Sequence, residues 1–554
     1  MKQHKPFCKP IVLLFCLGTI SLFSQDILWE KSMGGKHADY LSDAQPTADF
    51  GFILGGSSYS GSTGRKNEDS RGNLDYWLWK MDEHGKEEWQ KTFGGMGMDL
   101  LRCVRVTPDG GIILGGQSSS DANGDKTTLA LGGEDIWVLK LDAKGGVEWQ
   151  LSLGGSGQEM LHSLMPTADG GYILGASSSS NAPDETVMAH RNGHSDKSKI
   201  ILKDSDSFGH LDYWIIKLDN KGDLQWQRSF GGQYADQLRA IVQTPDGGYV
   251  AGGNSNSPEA ITLHTGAGIP KSEKCYGSGD YWIIRLDKSG NPLWQKVYGG
   301  EGDDQLEALI LTEEGHIVMA GNSDSGTTGN KNTANGKGTD FWVLETDEMG
   351  NILWQRTYDT GKIDILTSLL RNSDGTLLMG GYAKSETKGT KKKDREGVND
   401  YILLKTKANG EQLWKKTTGS NGEDVLKKAI ETRDGGYLLC GTSSGELSRD
   451  RESSVGRNDF WIVKLLDRDK PKKEKEPVEA VPNPTAAYTN IITGFEFEEA
   501  TLSVFDLSGR QLQSFAIQQR MVPLDLNGLP EGIYIVEVRS KSDKGSVKVM
   551  KKSH

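Results

Sequence analysis

Short apolar runs alternate with polar turns along most of the chain, and the pattern keeps returning. Leu100-Leu-Arg-Cys-Val-Arg-Val106 ends at the turn Thr107-Pro-Asp-Gly-Gly111, and Ile112-Ile-Leu-Gly-Gly116 follows. A polar loop then leads to Asp135-Ile-Trp-Val-Leu-Lys-Leu141, the turn Asp142-Ala-Lys-Gly145 and Val147-Glu-Trp-Gln-Leu-Ser-Leu153. Runs of five to seven residues separated by D-G and K-G turns predict four antiparallel strands in a meander.

This frame recurs seven times, on three anchors. The Trp of W-x-K/Q falls at Trp29, Trp89, Trp149, Trp226, Trp294, Trp354 and Trp414. Twenty residues later comes a turn acid: Asp49, Asp109, Asp169, Asp246, Glu314, Asp374 and Asp434. The slot of D-Y-W holds Trp77, Trp137, Trp214, Trp282, Trp342, Ile402 and Trp461, always 12 residues before the next W-x-K/Q. The base period is 60, and the large variation lies in one connection, which is longest in the third and fourth repeats. Four strands per unit predict a β-propeller or a solenoid. The ends favour the propeller. The frame begins with a lone fourth strand, Ile27-Leu-Trp-Glu-Lys31, and ends with a third, Phe460-Trp-Ile-Val-Lys-Leu465. The first can complete the last blade and close a ring, which removes sheet edges. The expected fold is all-β: a seven-bladed propeller over residues 26–467, then a small Ig-like β-sandwich.

A Trp at a fixed place in every blade is expected to pack between neighbouring sheets, with its indole N–H bonded to backbone. The segment L-D-x-x-G-x-x-x-W resembles the tryptophan-docking repeats of quinoprotein-like propellers. The G-G-Y-I-L-G-G-S … D-Y-W-I-I-K-L-D pattern is similar to the repeats of exported Bacteroidetes propeller proteins.

Composition sharpens this picture. Gly is 71 of 554 residues, Pro only 16 and Trp 14, and the net charge is −12. Gly without a three-residue period excludes collagen, and low Pro argues against a disordered Pro-rich tract. Interspersed charge with an acidic balance gives no support for a nucleic-acid or anionic-membrane surface.

Both ends carry addresses. Lys2, His4, Lys5 and Lys9 precede the apolar run Ile11 to Phe23, which reads as a signal peptide over 1–24 with cleavage between Ser24 and Gln25. The alternative is a lipoprotein signal at Leu13-Leu-Phe-Cys16, but Phe15 is bulky there and the run continues past Cys16. No later stretch is apolar enough to span a membrane. Cys103, Cys275 and Cys440 remain after cleavage and make no disulfide framework. Cys103 and Cys440 read as buried small hydrophobes, and Cys275 lies in a polar loop.

A charged linker, 468–479, separates the propeller from a C-terminal domain, 480–554. That domain carries Pro482-Asn483-Pro484, a strand run followed by Asp506-Leu-Ser-Gly509-Arg510, Leu529-Pro530-Glu-Gly532-Ile-Tyr534, and a basic last strand ending in Lys551-Lys552. These elements resemble the type A C-terminal sorting domain of the type IX secretion system. The resemblance implies a small β-sandwich recognised by that machinery in the periplasm. It also implies a protein that is released or held at the outer cell surface. The alternative is an Ig-like accessory domain with no targeting role.

Candidate chemistry is sparse. Gly441-Thr-Ser-Ser-Gly445 fits G-x-S-x-G, but the hydrolase elbow needs a strand–turn–helix. Asp121-Ala-Asn-Gly-Asp125 resembles the start of a calcium loop, yet Lys126 sits in the turn-glycine slot and Gly132 at the twelfth position. His190 and His194 have helical spacing in a polar insertion without cysteine partners. No catalytic residue, metal or cofactor is therefore assigned. Two acids recur in every unit, one before the first strand (Asp236 and Asp304 among them) and one before the third, and repetition marks them as structural. In a propeller, loops leaving the second strand share one face with those joining blades. That places the two large insertions, 177–211 and 254–279, together. Variable loops on a rigid scaffold are where binding tends to live. The candidate binding face comprises His190, His194, His210, Asp236 and Asp304. The favoured reading is a secreted, non-catalytic propeller that binds an extracellular protein or glycan and is handled by the type IX machinery. A glycan-active or quinoprotein-like enzyme, or a structural component of the cell surface or gliding apparatus, are the alternatives.

Overall fold

The computed structural model describes residues 26–183, 199–259, 268–361, 363–384, 399–448, 450–470, 476–485 and 487–552. The described residues contain strands and turns and no helix. Asp39–Pro46, Phe52–Ser58, Asp75–Met81 and Glu87–Phe93 pair in sequence order as one antiparallel sheet. Seven sheets are built on this four-strand plan. In the last, Asp26–Met33 runs antiparallel to Asp459–Leu466, so the N-terminal strand supplies the missing fourth position as expected.

The first strands of successive sheets lie against one another and so form the inside of the ring. Packing between sheets continues across the closure: Leu41, Phe52 and Trp77 of the first blade share a buried cluster with Ile430, Leu438 and Phe460 of the last. The third strands are buried on both faces, which is why D-Y-W-I-I-K-L reads as continuous apolar sequence rather than alternation.

Aromatic slots hold the blades together in two ways. The D-Y-W tryptophans are fully buried, and the ring of the preceding blade's Tyr or Phe lies on five of them, Ile136 taking that place beside Trp214. Tyr213 and Trp282 have centroids 4.7 Å apart, Tyr281 and Trp342 4.8 Å, and Phe460 and Trp77 close the circle at 4.7 Å. Tyr213 Oη also donates to the Trp282 carbonyl, at 3.1 Å. The indole N–H was expected to meet backbone, as that of Trp294 does on the Glu348 carbonyl at 3.2 Å; in the D-Y-W slot it meets a side chain of the fourth strand instead. Trp77 donates to Gln90 at 3.1 Å and Trp214 to Gln227 at 2.8 Å, while Trp461 donates to Glu30 of the closing strand at 2.8 Å. The Gln of W-Q is thus part of the tryptophan site.

The outer-strand tryptophans, Trp29, Trp89, Trp149, Trp226, Trp294, Trp354 and Trp414, are half-buried except for the buried Trp414. Six of them dock on the turn glycine between the third and fourth strands of the next blade: Trp29 on Gly85, Trp226 on Gly290 and Trp354 on Gly410, for example. Those glycines have positive φ, and a Cβ there would sit about 3 Å from the indole. Both the backbone and the docked ring therefore demand glycine.

The C-terminal domain is a sandwich of a three-stranded and a four-stranded sheet over one apolar core. Its first strand, Val478–Val481, pairs with Tyr488–Thr493, so the fold starts two residues inside the expected linker.

Candidate functional site

The two recurring acids converge on one buried row per blade. Asp39, Ser58 and Asp75 stand side by side across three strands, and the equivalent row in the fourth blade is Asp236, Ser255 and Asp280. Asp39 accepts from the Gly35 N–H at 2.7 Å and from Ser58 and Ser60. In six blades the row also meets a buried cation from the loop after the second strand: Lys66, Lys126, Lys203, Lys271, Lys331 and, in the last blade, Arg451. Lys66 Nζ donates to the Ser60 carbonyl at 2.6 Å, and Arg451 pairs with Asp459 at 2.6 Å. The result is a buried belt of acids and cations. Burial lifts the carboxyls of Asp75, Asp236 and Asp280 to about 6 and that of Asp212 to about 7.

This corrects part of the candidate face. Asp236 and Asp304 have no exposed surface; each accepts from a backbone N–H at 2.7 Å and from a Ser hydroxyl, so they belong to the belt. His210 is exposed, beside the third strand of blade three, and His190 and His194 lie outside the described residues, as do Ser24 and Gln25. Described parts of the long insertions also build scaffold. Lys199–Leu202 adds a parallel strand to the outer edge of blade two, and Ile269–Pro270 does so on blade three.

Ser443, the central residue of Gly441-Thr-Ser-Ser-Gly445, is buried at a strand end and accepts from Arg451 at 2.7 Å, so no exposed nucleophile results. Asp121 accepts from the Ala122 and Ala130 N–H groups, and Asp125 pairs with Arg71 at 2.9 Å. That loop spends its carboxylates on its own backbone and an arginine.

A feature the sequence reading missed lies on the axis. Every first strand has a register shift one residue past its conserved Leu, so one residue per blade is extruded from the ladder: Ser42, Arg102, His162, Arg239, Glu307, Thr367 and Lys427. Bulges re-aim side chains, and these converge across the ring. The Arg239 and Arg102 charges act on His162; the Lys427 charge in blade seven acts on Glu307 in blade five, and Arg102 in blade two on Lys427. Burial, reinforced by these two arginines, pushes the His162 imidazole down to about 3, leaving it neutral. Burial raises the Glu307 carboxyl and lowers the Lys427 ammonium. The His162 Nε2 and Arg239 Nε atoms are buried and meet no hydrogen-bond partner among the described residues. A cavity of about 560 Å³ opens onto this ring and is lined by Tyr40, Ser42, Leu100, Arg102, Val425, Lys427 and Asn458, among others.

In the C-terminal domain the sequence motifs are interlocked. The Asn483 amide donates to the Lys548 carbonyl at 2.6 Å, and its oxygen accepts from the Met550 N–H at 2.9 Å, clamping the last strand behind Pro482 and Pro484. Asp506 accepts from the Ser508 and Arg510 N–H groups around Gly509, whose φ is 83°. Lys551 Nζ donates to the Leu526 and Leu529 carbonyls, both at 2.7 Å, and the Tyr534 hydroxyl to the Pro530 carbonyl, near Gly532; Lys552 is exposed. These residues serve the fold of the domain, with Arg510 and Lys552 left at its surface.

A closed ring of antiparallel four-stranded sheets followed by a β-sandwich defines the class: a β-propeller with an appended domain. Residues 480–552 match the family described as "Secretion system C-terminal sorting domain". The chain is accordingly a type IX secretion cargo, exported to the cell surface or extracellular space, and no helix among the described residues is long and apolar enough to cross a membrane. A segment of 199 residues, 35% of the chain, is 26% identical to the regulatory protein FlaEY of Caulobacter vibrioides and spans 19% of that protein. Among solved structures, the chain is similar to PorZ of Porphyromonas gingivalis, a surface component of the type IX secretion system. The identity is 10%, over 94% of this chain and 100% of that one, with a TM-score of 0.24. It is also similar to Kuenenia stuttgartiensis hydrazine synthase, with 10% identity over 76% and 94% of the two chains and a TM-score of 0.38. Scores this low carry no functional inference.

Proposed function

We propose that the exported propeller is a non-catalytic binding protein that takes an extracellular ligand on the face carrying the blade-joining loops. The observation that supports this most is the cavity of about 560 Å³, open to that face and floored by Ser42, Arg102 and Lys427, bulge residues that differ from blade to blade. The fold-repeated acids are locked in the belt and contribute nothing to the cavity lining. The rim offers an aromatic ring, Tyr40, beside the hydroxyl and amide groups of Ser57, Thr442, Ser444 and Asn458. A rigid concave site with a few polar groups is the usual form of a ligand pocket.

The test is array binding of the mature chain to glycans and cell-surface proteins, compared with Val425→Trp, which fills the cavity mouth. The substitution should abolish binding while leaving the melting temperature in place. Binding that survives a filled mouth would refute the assignment of this face.

A further inference from the structure

We infer that the propeller axis is a seat for the acid group of an acidic saccharide, entering from the loop face with its charge toward Arg102 and Lys427. This rests on the binding reading above and names the ligand class. In a chain whose net charge is −12, the bulge slots place three cations, Arg102, Arg239 and Lys427, around a single carboxylate, Glu307. Like charges brought together at the centre of a ring repel one another, and a fold does not need them there: the same slot holds Ser42 and Thr367 in two blades. Lys427 illustrates the cost, since burial and the Arg102 charge both oppose its protonated state and the Glu307 charge offsets them only in part. An anion between these groups reverses that repulsion and gives Arg102 and Lys427, which both line the cavity, a shared partner.

The surroundings select a sugar. The cavity walls hold no second carboxylate besides Glu423 among their described residues, and they combine Tyr40, 41% exposed, with Leu74 and Leu100 and several hydroxyl and amide groups. An aromatic face for the ring and short polar side chains for its hydroxyls are what a pyranose needs. A flat, fully charged surface would suit a polyanion of any kind; a half-apolar pocket with two cations at its floor suits one acidic residue of a glycan.

Isothermal titration of the mature chain with a galacturonate trisaccharide, its methyl-esterified neutral form and a poly-glutamate peptide tests this. The acid form should bind at least tenfold more tightly than the ester, and Arg102→Met and Lys427→Met should each remove most of that preference without shifting the melting temperature. Equal binding of acid and ester, or Met variants that keep the preference, would overturn the anion seat while leaving the binding face intact, because Val425→Trp would still block the neutral sugar. Tight binding of poly-glutamate with none of the saccharide would overturn the sugar class. Absence of binding by either saccharide, with array hits that Val425→Trp abolishes, would likewise overturn it.

Discussion

Blade four contains two glycines at nearly the same backbone geometry, and substituting each by alanine separates two costs. Gly247 has φ +84° and a Cβ there would meet nothing within 4 Å; Gly290 has φ +79°, and a Cβ would lie 2.7 Å from the Trp226 ring. Gly247→Ala therefore measures the left-handed backbone alone, about 1–2 kcal/mol. Gly290→Ala adds displacement of a half-buried indole that also stacks with Arg228 at 5.8 Å and meets Tyr249 edge-on at 5.8 Å. Overpacking of this kind costs about 1–3 kcal/mol. Gly290→Ala should thus exceed Gly247→Ala by about 1–3 kcal/mol in chemical denaturation of the protein. The difference should shrink in a Trp226→Ala background, where the ring is gone. Equal losses for the two glycines, or an excess that persists without Trp226, would refute docking of the tryptophan as the reason for the turn glycine.

Raising the pH from 5 to 8 should lower the melting temperature in calorimetry. Burial lifts Asp75, Asp236, Asp280 and Asp424 to about 6 and Asp212 to about 7. Folded values above unfolded ones mean that the fold takes up protons, so this stability is fully present below about pH 4 and is lost as pH climbs through 6 to 7. A melting temperature that rises over that range would contradict the belt. Phe50 occupies the left-handed turn position, φ 71°, filled by glycine in the other blades, with Arg433 of the last blade 3.9 Å and Arg520 of the sorting domain 5.6 Å from its ring. Phe50→Gly should relieve about 1 kcal/mol of backbone strain yet speed tryptic cleavage at 471–475, since the sorting domain loses its stacked anchor; unchanged cleavage would deny that role. Lys551→Ala leaves the Leu526 and Leu529 carbonyls without their cation and should destabilise the sorting domain by about 1.5–3 kcal/mol, read as a lower second transition and reduced export.

The repeat frame made the architecture legible, because a propeller's requirements are periodic. Ring closure followed from the lone strand around Trp29, and the acid slots were rightly structural. What stayed hidden was hidden for physical reasons. Lys66 and Lys126 recur at one place in the frame and Lys203 follows a longer insertion, but lysine in a polar loop normally signals solvent, and only the folded loop brings each ammonium onto the acid row. Asp236 and Asp304 looked available because an isolated acid beside a turn usually is. The insertions looked purely like recognition loops, but Lys199–Leu202 and Ile269–Pro270 cover strand edges. The glutamine of W-Q drew no notice beside its tryptophan, although it is what satisfies the buried indole in the same blade.

The axis residues carried a signal that periodicity analysis tends to discard. The first strands read D-Y-L-S, D-L-L-R, E-M-L-H, D-Q-L-R, D-Q-L-E, D-I-L-T and D-V-L-K. The acid and the leucine persist because the belt and the inter-blade core need them; the second and fourth residues vary, and the bulge frees the fourth from the ladder and re-aims it. Sevenfold sameness supplies a rigid frame, but seven identical side chains on an axis would give a ligand seven equivalent orientations. The bulge slot breaks that symmetry at one depth: cations from blades two, four and seven, a carboxylate from blade five, an imidazole from blade three and hydroxyls from blades one and six. A ligand bound there meets a different group in most directions and has one best pose. In a protein built from near-identical units, specificity has to reside where the units stop agreeing, and here the bulge concentrates that disagreement on the axis.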